Sequence, residues 1–131
     1  MLTTDIKVWY LLFHDIAGDE NEYVGGSYLC KLVIPDNFPA DPPQFYMLTP
    51  NGLYGCDGKV CVSIGEFHAN SYPATIGVTG FAEALVSGLI GWKSMSAGTR
   101  LLTTTIEEKK RLATASVAYN AANYSEIMAL F

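Results

Sequence analysis

The sequence predicts a single α+β domain over residues 1–131, an antiparallel meander sheet packed against C-terminal helices. Three observations predict it. Segments rich in β-branched and aromatic residues crowd the first fifty positions, one of them with a clear period of two, whereas a helical period governs the chain after Thr79. The strand candidates are joined by short polar or proline-rich connections. Finally, 131 residues, half of them hydrophobic and 16% charged, are the size and make-up of one globular domain. A chain of this length buries roughly 65–70% of its unfolded surface, enough for a core without staples.

The first strand is expected at 5–13, "DIKVWYLLF", from its β-branched and aromatic residues. A polar, glycine-marked connection follows, "HDIAGDENEYVGG". The second strand, 27–34, alternates: Tyr28, Cys30, Leu32 and Ile34 share one face and Ser27, Leu29, Lys31 and Val33 the other. Cys30 therefore falls on a core-facing row, where a thiol acts as a small hydrophobe. Between this strand and a third at 44–49 lies "PDNFPADPP", whose four prolines lack the N–H a central strand needs. That stiff segment either presents Phe38 to solvent as a contact or plugs the rim of the core with it. After a loop over 48–68, Phe81, Leu85 and Leu89 recur at i, i+4 and i+8, flanked by Ala82, Val86 and Ile90. Such a broad apolar stripe predicts a buried helix. Thr105 and Glu108 have capping-box spacing ahead of a second helix with Leu112, Ser116 and Tyr119 on one stripe. A short third helix is expected after Ser125.

Charge and composition exclude several functions. The net charge is −5 and the only basic cluster is Lys109-Lys110-Arg111, which argues against nucleic acid. No apolar run approaches the ~18 residues of a membrane span, and "MLTTDIK" does not open a secretion signal. The expectation is a soluble, cytoplasmic protein. Three cysteines without secretory context are expected to be reduced.

Chemistry concentrates in "LTPNGLYGCDGKVCVSIGEFH", residues 48–68. Cys56, Cys61 and His68 offer three ligands, one fewer than a closed zinc site uses, and His14 is far away in sequence. No metal and no cofactor is therefore expected. Four residues between Cys56 and Cys61 are too many for a thioredoxin-type redox pair. Cys61 with His68 as its base would suit a cysteine hydrolase. On residue types alone, "VCVSI" also reads as a short buried strand with an inert cysteine.

The order and spacing of several blocks go further. Tyr23-x-Gly25-Gly26-x-Tyr28-x3-Leu32, Pro35-x2-Phe38-Pro39-x2-Pro42-Pro43, Thr49-Pro50-Asn51-Gly52 and Val60-Cys61-Val62-Ser63 follow one another. This series resembles the catalytic domain of ubiquitin-conjugating enzymes. Most members carry His-Pro-Asn where this chain has Thr49-Pro50-Asn51. Thr-Pro-Asn-Gly, the cysteine block and Phe67-His68 are similar to the tail-anchored endoplasmic-reticulum branch. The resemblance covers nearly the whole chain, weakest across 69–105.

The resemblance implies that Cys61 receives ubiquitin, or a ubiquitin-like modifier, from an activating enzyme as a thioester and passes it to lysine or hydroxyl acceptors. It implies that Asn51 stabilises the oxyanion or supports the loop that does so, where residue type alone allows a turn residue before Gly52. Ser63, where many members have an aspartate, is expected to support the oxyanion loop with Asn51, and His68 either assists a hydroxyl acceptor or bonds a loop carbonyl. Cys56 is a bystander. Phe38, Pro73 and Ala74 match the two loops that meet a ligase. The family's first helix and the branch's membrane tail have no counterpart here, so a partner chain or a second copy is expected over the face that helix would cover. The alternative to an active enzyme is the same fold, catalytically idle, used as a binding or structural module.

Overall fold

A computed structural model describes residues 8–34, 36, 44–56, 59–60, 77–94, 102 and 104–131. Four strands, β1 (Val8–His14), β2 (Ser27–Val33), β3 (Gln44–Met47) and β4 (Lys59–Val60), form an antiparallel sheet in the order β1-β2-β3-β4. Among the described residues three helices follow, α1 (Gly77–Ile90), α2 (Ile106–Asn123) and α3 (Ser125–Met128), with a 3-10 turn at Trp92–Ser94 after α1. The domain is α+β, strands before helices. The sheet has one strand more than the three expected from pattern. A two-residue strand is too short to show a period, and only its pairing with Phe45 and Tyr46 reveals it.

Alternation along β2 aligns one face of the sheet into rows. Leu11, Cys30 and Met47 stand in register, as do Trp9, Leu32 and Phe45. Cys30, Leu32, Phe45 and Met47 are buried, and Leu85 and Leu89 of α1 join them in one core. Burial pushes the Cys30 thiol up to about 12, so it remains a protonated, inert hydrophobe at neutral pH. β1 runs to His14, one residue beyond the expected end, and the His14 ring bonds the Asp15 carboxylate at 2.7 Å. β2 stops at Val33, one residue earlier than expected, and β3 at Met47, two earlier, because Leu48 and Thr49 bend to place their N–H groups on the Leu29 carbonyl.

Thr105 caps α2: its hydroxyl accepts the Glu108 N–H at 3.1 Å. Only half of the capping box forms, because the Glu108 carboxylate turns to Arg111 instead. The buried stripe of α2 also differs from the expected one. Leu112 and Tyr119 are half-buried, while Lys109, Ala113, Ser116 and Asn120 face inward. They recur at i, i+4, i+7 and i+11, a helical period carried mostly by polar residues. Hydropathy cannot find such a stripe. Among the described residues no helix is long and apolar enough to cross a membrane.

Candidate active site

The loop after β3 begins as the chain leaves the sheet at Leu48 and turns through Thr49-Pro50-Asn51-Gly52. Asn51 is fully buried and its side chain is the staple of this turn. Its Nδ2 donates to the carbonyls of Thr49 and Tyr54, both at 3.1 Å. Its Oδ1 accepts the N–H groups of Leu53 at 3.0 Å and Tyr54 at 2.7 Å. The amide has two donors and two acceptor lone pairs, and all four are engaged within the loop. In this geometry neither N–H is left for an oxyanion. The side chain shapes the backbone around it.

Gly52 sits at φ +87, and a Cβ there would stand 2.9 Å from Lys109 Cγ and 3.0 Å from Thr104 Oγ1. Glycine is required both by the left-handed backbone and by the close approach of α2. The far side of the loop is tied as well. Thr104 donates its hydroxyl to the Gly52 carbonyl at 2.6 Å, Leu102 donates its N–H to the Leu53 carbonyl at 2.7 Å, and the Tyr54 hydroxyl donates to the Leu85 carbonyl of α1 at 2.8 Å.

Lys109 lies beneath, 1% exposed, its Nζ donating to the hydroxyl and carbonyl of Thr104. The ammonium also stands 3.7 Å from the centre of the Trp92 ring, a cation–π contact in a desolvated setting. Burial holds its pKa below the ordinary lysine value, with the Glu22 carboxylate pulling the other way. The edge of the same indole donates Nε1–H to buried Glu22 at 2.7 Å. Trp92 thus separates a cation from a carboxylate and satisfies both. Gly18 backs Glu22 so closely that a Cβ there would lie 2.3 Å from its Oε1.

The remaining expected site residues, Cys61, Ser63, His68, Phe38, Pro73 and Ala74, lie outside the described residues. Chain order carries Lys59–Val60 of β4 directly into Cys61. Cys56 is exposed. Among the described residues no three His, Cys, Asp or Glu side chains gather as a metal site would need.

Pattern reading missed Lys109, Thr104 and Asn120, the residues that hold the loop from behind. Polar residues at i, i+7 and i+11, with Ala113 at i+4, were the signal available.

No family profile matches the chain. Curated proteins do. It is 33% identical over 120 residues to ubiquitin-conjugating enzyme E2 J2 of Homo sapiens, covering 91% of this chain and 44% of that protein. To ubiquitin-conjugating enzyme E2 34 of Arabidopsis thaliana it is 33% identical over 116 residues, 88% of this chain and 47% of the relative. To ubiquitin-conjugating enzyme E2 J2-like of Dictyostelium discoideum it is 28% identical over 120 residues, 92% of this chain and 68% of the relative. The chain spans a little under half the length of the first two. Its homologues are ubiquitin-conjugating enzymes E2, and the likeness runs over about nine-tenths of its length.

Proposed function

We propose that this chain is a ubiquitin-conjugating catalytic domain, carrying ubiquitin or a ubiquitin-like modifier as a thioester on Cys61. The observation that carries the reading is the stapled Thr49-Pro50-Asn51-Gly52 loop in a chain whose homologues are such enzymes. The Cys61 thiolate attacks the thioester carbonyl presented by an activating enzyme, and that enzyme's thiol leaves. An amine or hydroxyl then attacks the new thioester, loses its proton, and expels the Cys61 thiolate.

In this reading Asn51 acts on the reaction through backbone shape, since its amide is saturated inside the loop. Oxyanion stabilisation then falls to donors other than the Asn51 amide. His68 serves the incoming nucleophile, Ser63 joins Asn51 in supporting the oxyanion loop, and Phe38, Pro73 and Ala74 meet a ligase. Acceptance of hydroxyl groups, as in the Thr-Pro-Asn branch, belongs to the same proposal.

The test is charging. Incubated with activating enzyme, ATP and ubiquitin, the protein forms an adduct on a non-reducing gel that thiols remove. Cys61→Ala abolishes it and Cys56→Ala leaves it intact. Absence of an adduct from the unaltered protein would favour a binding module that keeps the fold without the chemistry.

A further inference from the structure

The edge of β2 changes partner midway. At Lys31 and Val33 the strand pairs with Tyr46 and Gln44 of β3. Towards Ser27 and Leu29, β3 has already turned away into the Thr-Pro-Asn loop. The backbone groups left on that edge still need partners, and α2 with Thr49 supplies them. Ser27 N–H donates to Ser116 Oγ at 2.8 Å, and the Ser27 carbonyl accepts from Asn120 Nδ2 at 2.9 Å. Leu29 N–H donates to Thr49 Oγ1 at 2.9 Å. The Thr49 hydroxyl then donates its own proton to Asn120 Oδ1. Thr49 and Asn120 are both fully buried, so no water replaces either bond.

Thr49 is also where the Asn51 staple is anchored, because its carbonyl accepts one of the two Asn51 N–H bonds. A continuous path therefore runs from Asn120 on α2, through the Thr49 hydroxyl and carbonyl, to the Asn51 amide. A second runs from Lys109 through Thr104 to the Gly52 carbonyl. One helix grips the loop on both sides of Asn51.

We propose that Asn120, acting through Thr49, is a positioning residue for the active-site loop, so that the seating of α2 sets the rate of thioester discharge. The loop geometry stands on the contacts above; the consequence for discharge rests on the ubiquitin-conjugating reading. Thr49 takes this role with one small hydroxyl that accepts from the sheet and donates to the helix at once. Valine has its shape and neither capacity.

Two measurements on the full chain test the proposal. In the first, amide hydrogen exchange is compared between the unaltered protein, Asn120→Ala and Thr49→Val. The Leu53 and Tyr54 amides, bonded to Asn51 Oδ1, exchange faster in both variants, and the Thr49→Ser variant restores protection. Faster exchange confined to Ser27 and Leu29 would overturn the proposal, since the pair would then hold only the sheet edge. Should Asn120→Ala fail to fold, Asn120→Ser takes its place.

In the second, the preformed thioester is discharged to free lysine or serine in a single turnover. Thr49→Val slows discharge of the preformed thioester about tenfold, while Thr49→Ser stays within about twofold. In an Asn51→Ala background the Thr49→Val penalty disappears from the discharge rate and persists in the melting temperature. Equal penalties in both backgrounds would show a general loss of stability and sink the positioning role. An unaltered protein that never charges would sink the ubiquitin-conjugating reading, and the exchange measurement would still decide whether α2 holds the loop.

Discussion

Helix α1 turns Leu85 and Leu89 into the core, where Tyr54 and Tyr23 donate their hydroxyls to the carbonyls of those same two residues. Helix α2 turns in Lys109, Ala113, Ser116 and Asn120, and is held by directed bonds to the sheet edge and the loop. Apolar adhesion is proportional to area and tolerates small shifts in register. Hydrogen bonds to fixed backbone partners do not, because geometry and desolvation penalise every misplaced group. The difference is one of task. α1 fills the interior and takes one loop bond at Leu85, whereas α2 holds the loop through Lys109 and Asn120.

Truncation and replacement should separate the two helices. Leu89→Ala is the largest expected loss, about 3 kcal/mol, from lost burial plus a cavity at a fully buried position. Leu89→Met at the same place should cost under about 1.5 kcal/mol, since shape and apolarity are kept. Urea melts would check both, and a Met variant as unstable as the Ala variant would break the contrast. Next comes Asn120→Leu, similar in size, expected to cost about 2 kcal/mol by stranding the Ser27 carbonyl and the Thr49 hydroxyl. A neutral result would mean that α2 is held by area after all.

Smaller effects sharpen the picture at the start of α2. Thr105→Ala removes the side-chain cap and should lower stability by about 1 kcal/mol, with Thr105→Ser recovering it. The smallest effect is the pH dependence at Glu22. Desolvation raises its pKa, but the Trp92 indole N–H, the backbone N–H groups of Glu22 and Glu20, and Lys93 together outweigh it and hold the carboxyl below its ordinary 4.5. A carboxyl depressed in the folded state stabilises the fold above its unfolded value, and that stability is lost as pH falls through the folded value. The melting temperature should therefore fall more steeply below pH 4.5 in the unaltered protein than in Glu22→Gln. Parallel curves would show that the Glu22–Trp92 bond does not titrate with the fold.

Local patterns made the first three strands, α1 and the Thr105 cap legible, since period and capping are properties of neighbouring residues. The Thr49–Gly52 segment was legible as a motif. Residue type left Asn51 open between donor and support, and only the tertiary structure showed four bonds inside the loop accounting for its amide. β4 was invisible because two residues carry no period, and the inward face of α2 because its buried residues are polar. Ser116 stood on the expected stripe; Lys109 and Asn120 did not, although both are buried.

By itself, then, the order of residues determined an α+β chain with strands ahead of helices, an alternating central strand, and a proline-bearing turn poised before a cysteine. Those features depend on interactions within a few residues. Tertiary structure alone decided that a polar stripe would face inward, that Lys109 would lie under Trp92, and that Asn120 would meet Thr49 across 71 positions of chain. A buried polar group is tolerable only where a partner waits, and that partner is supplied by a distant part of the fold.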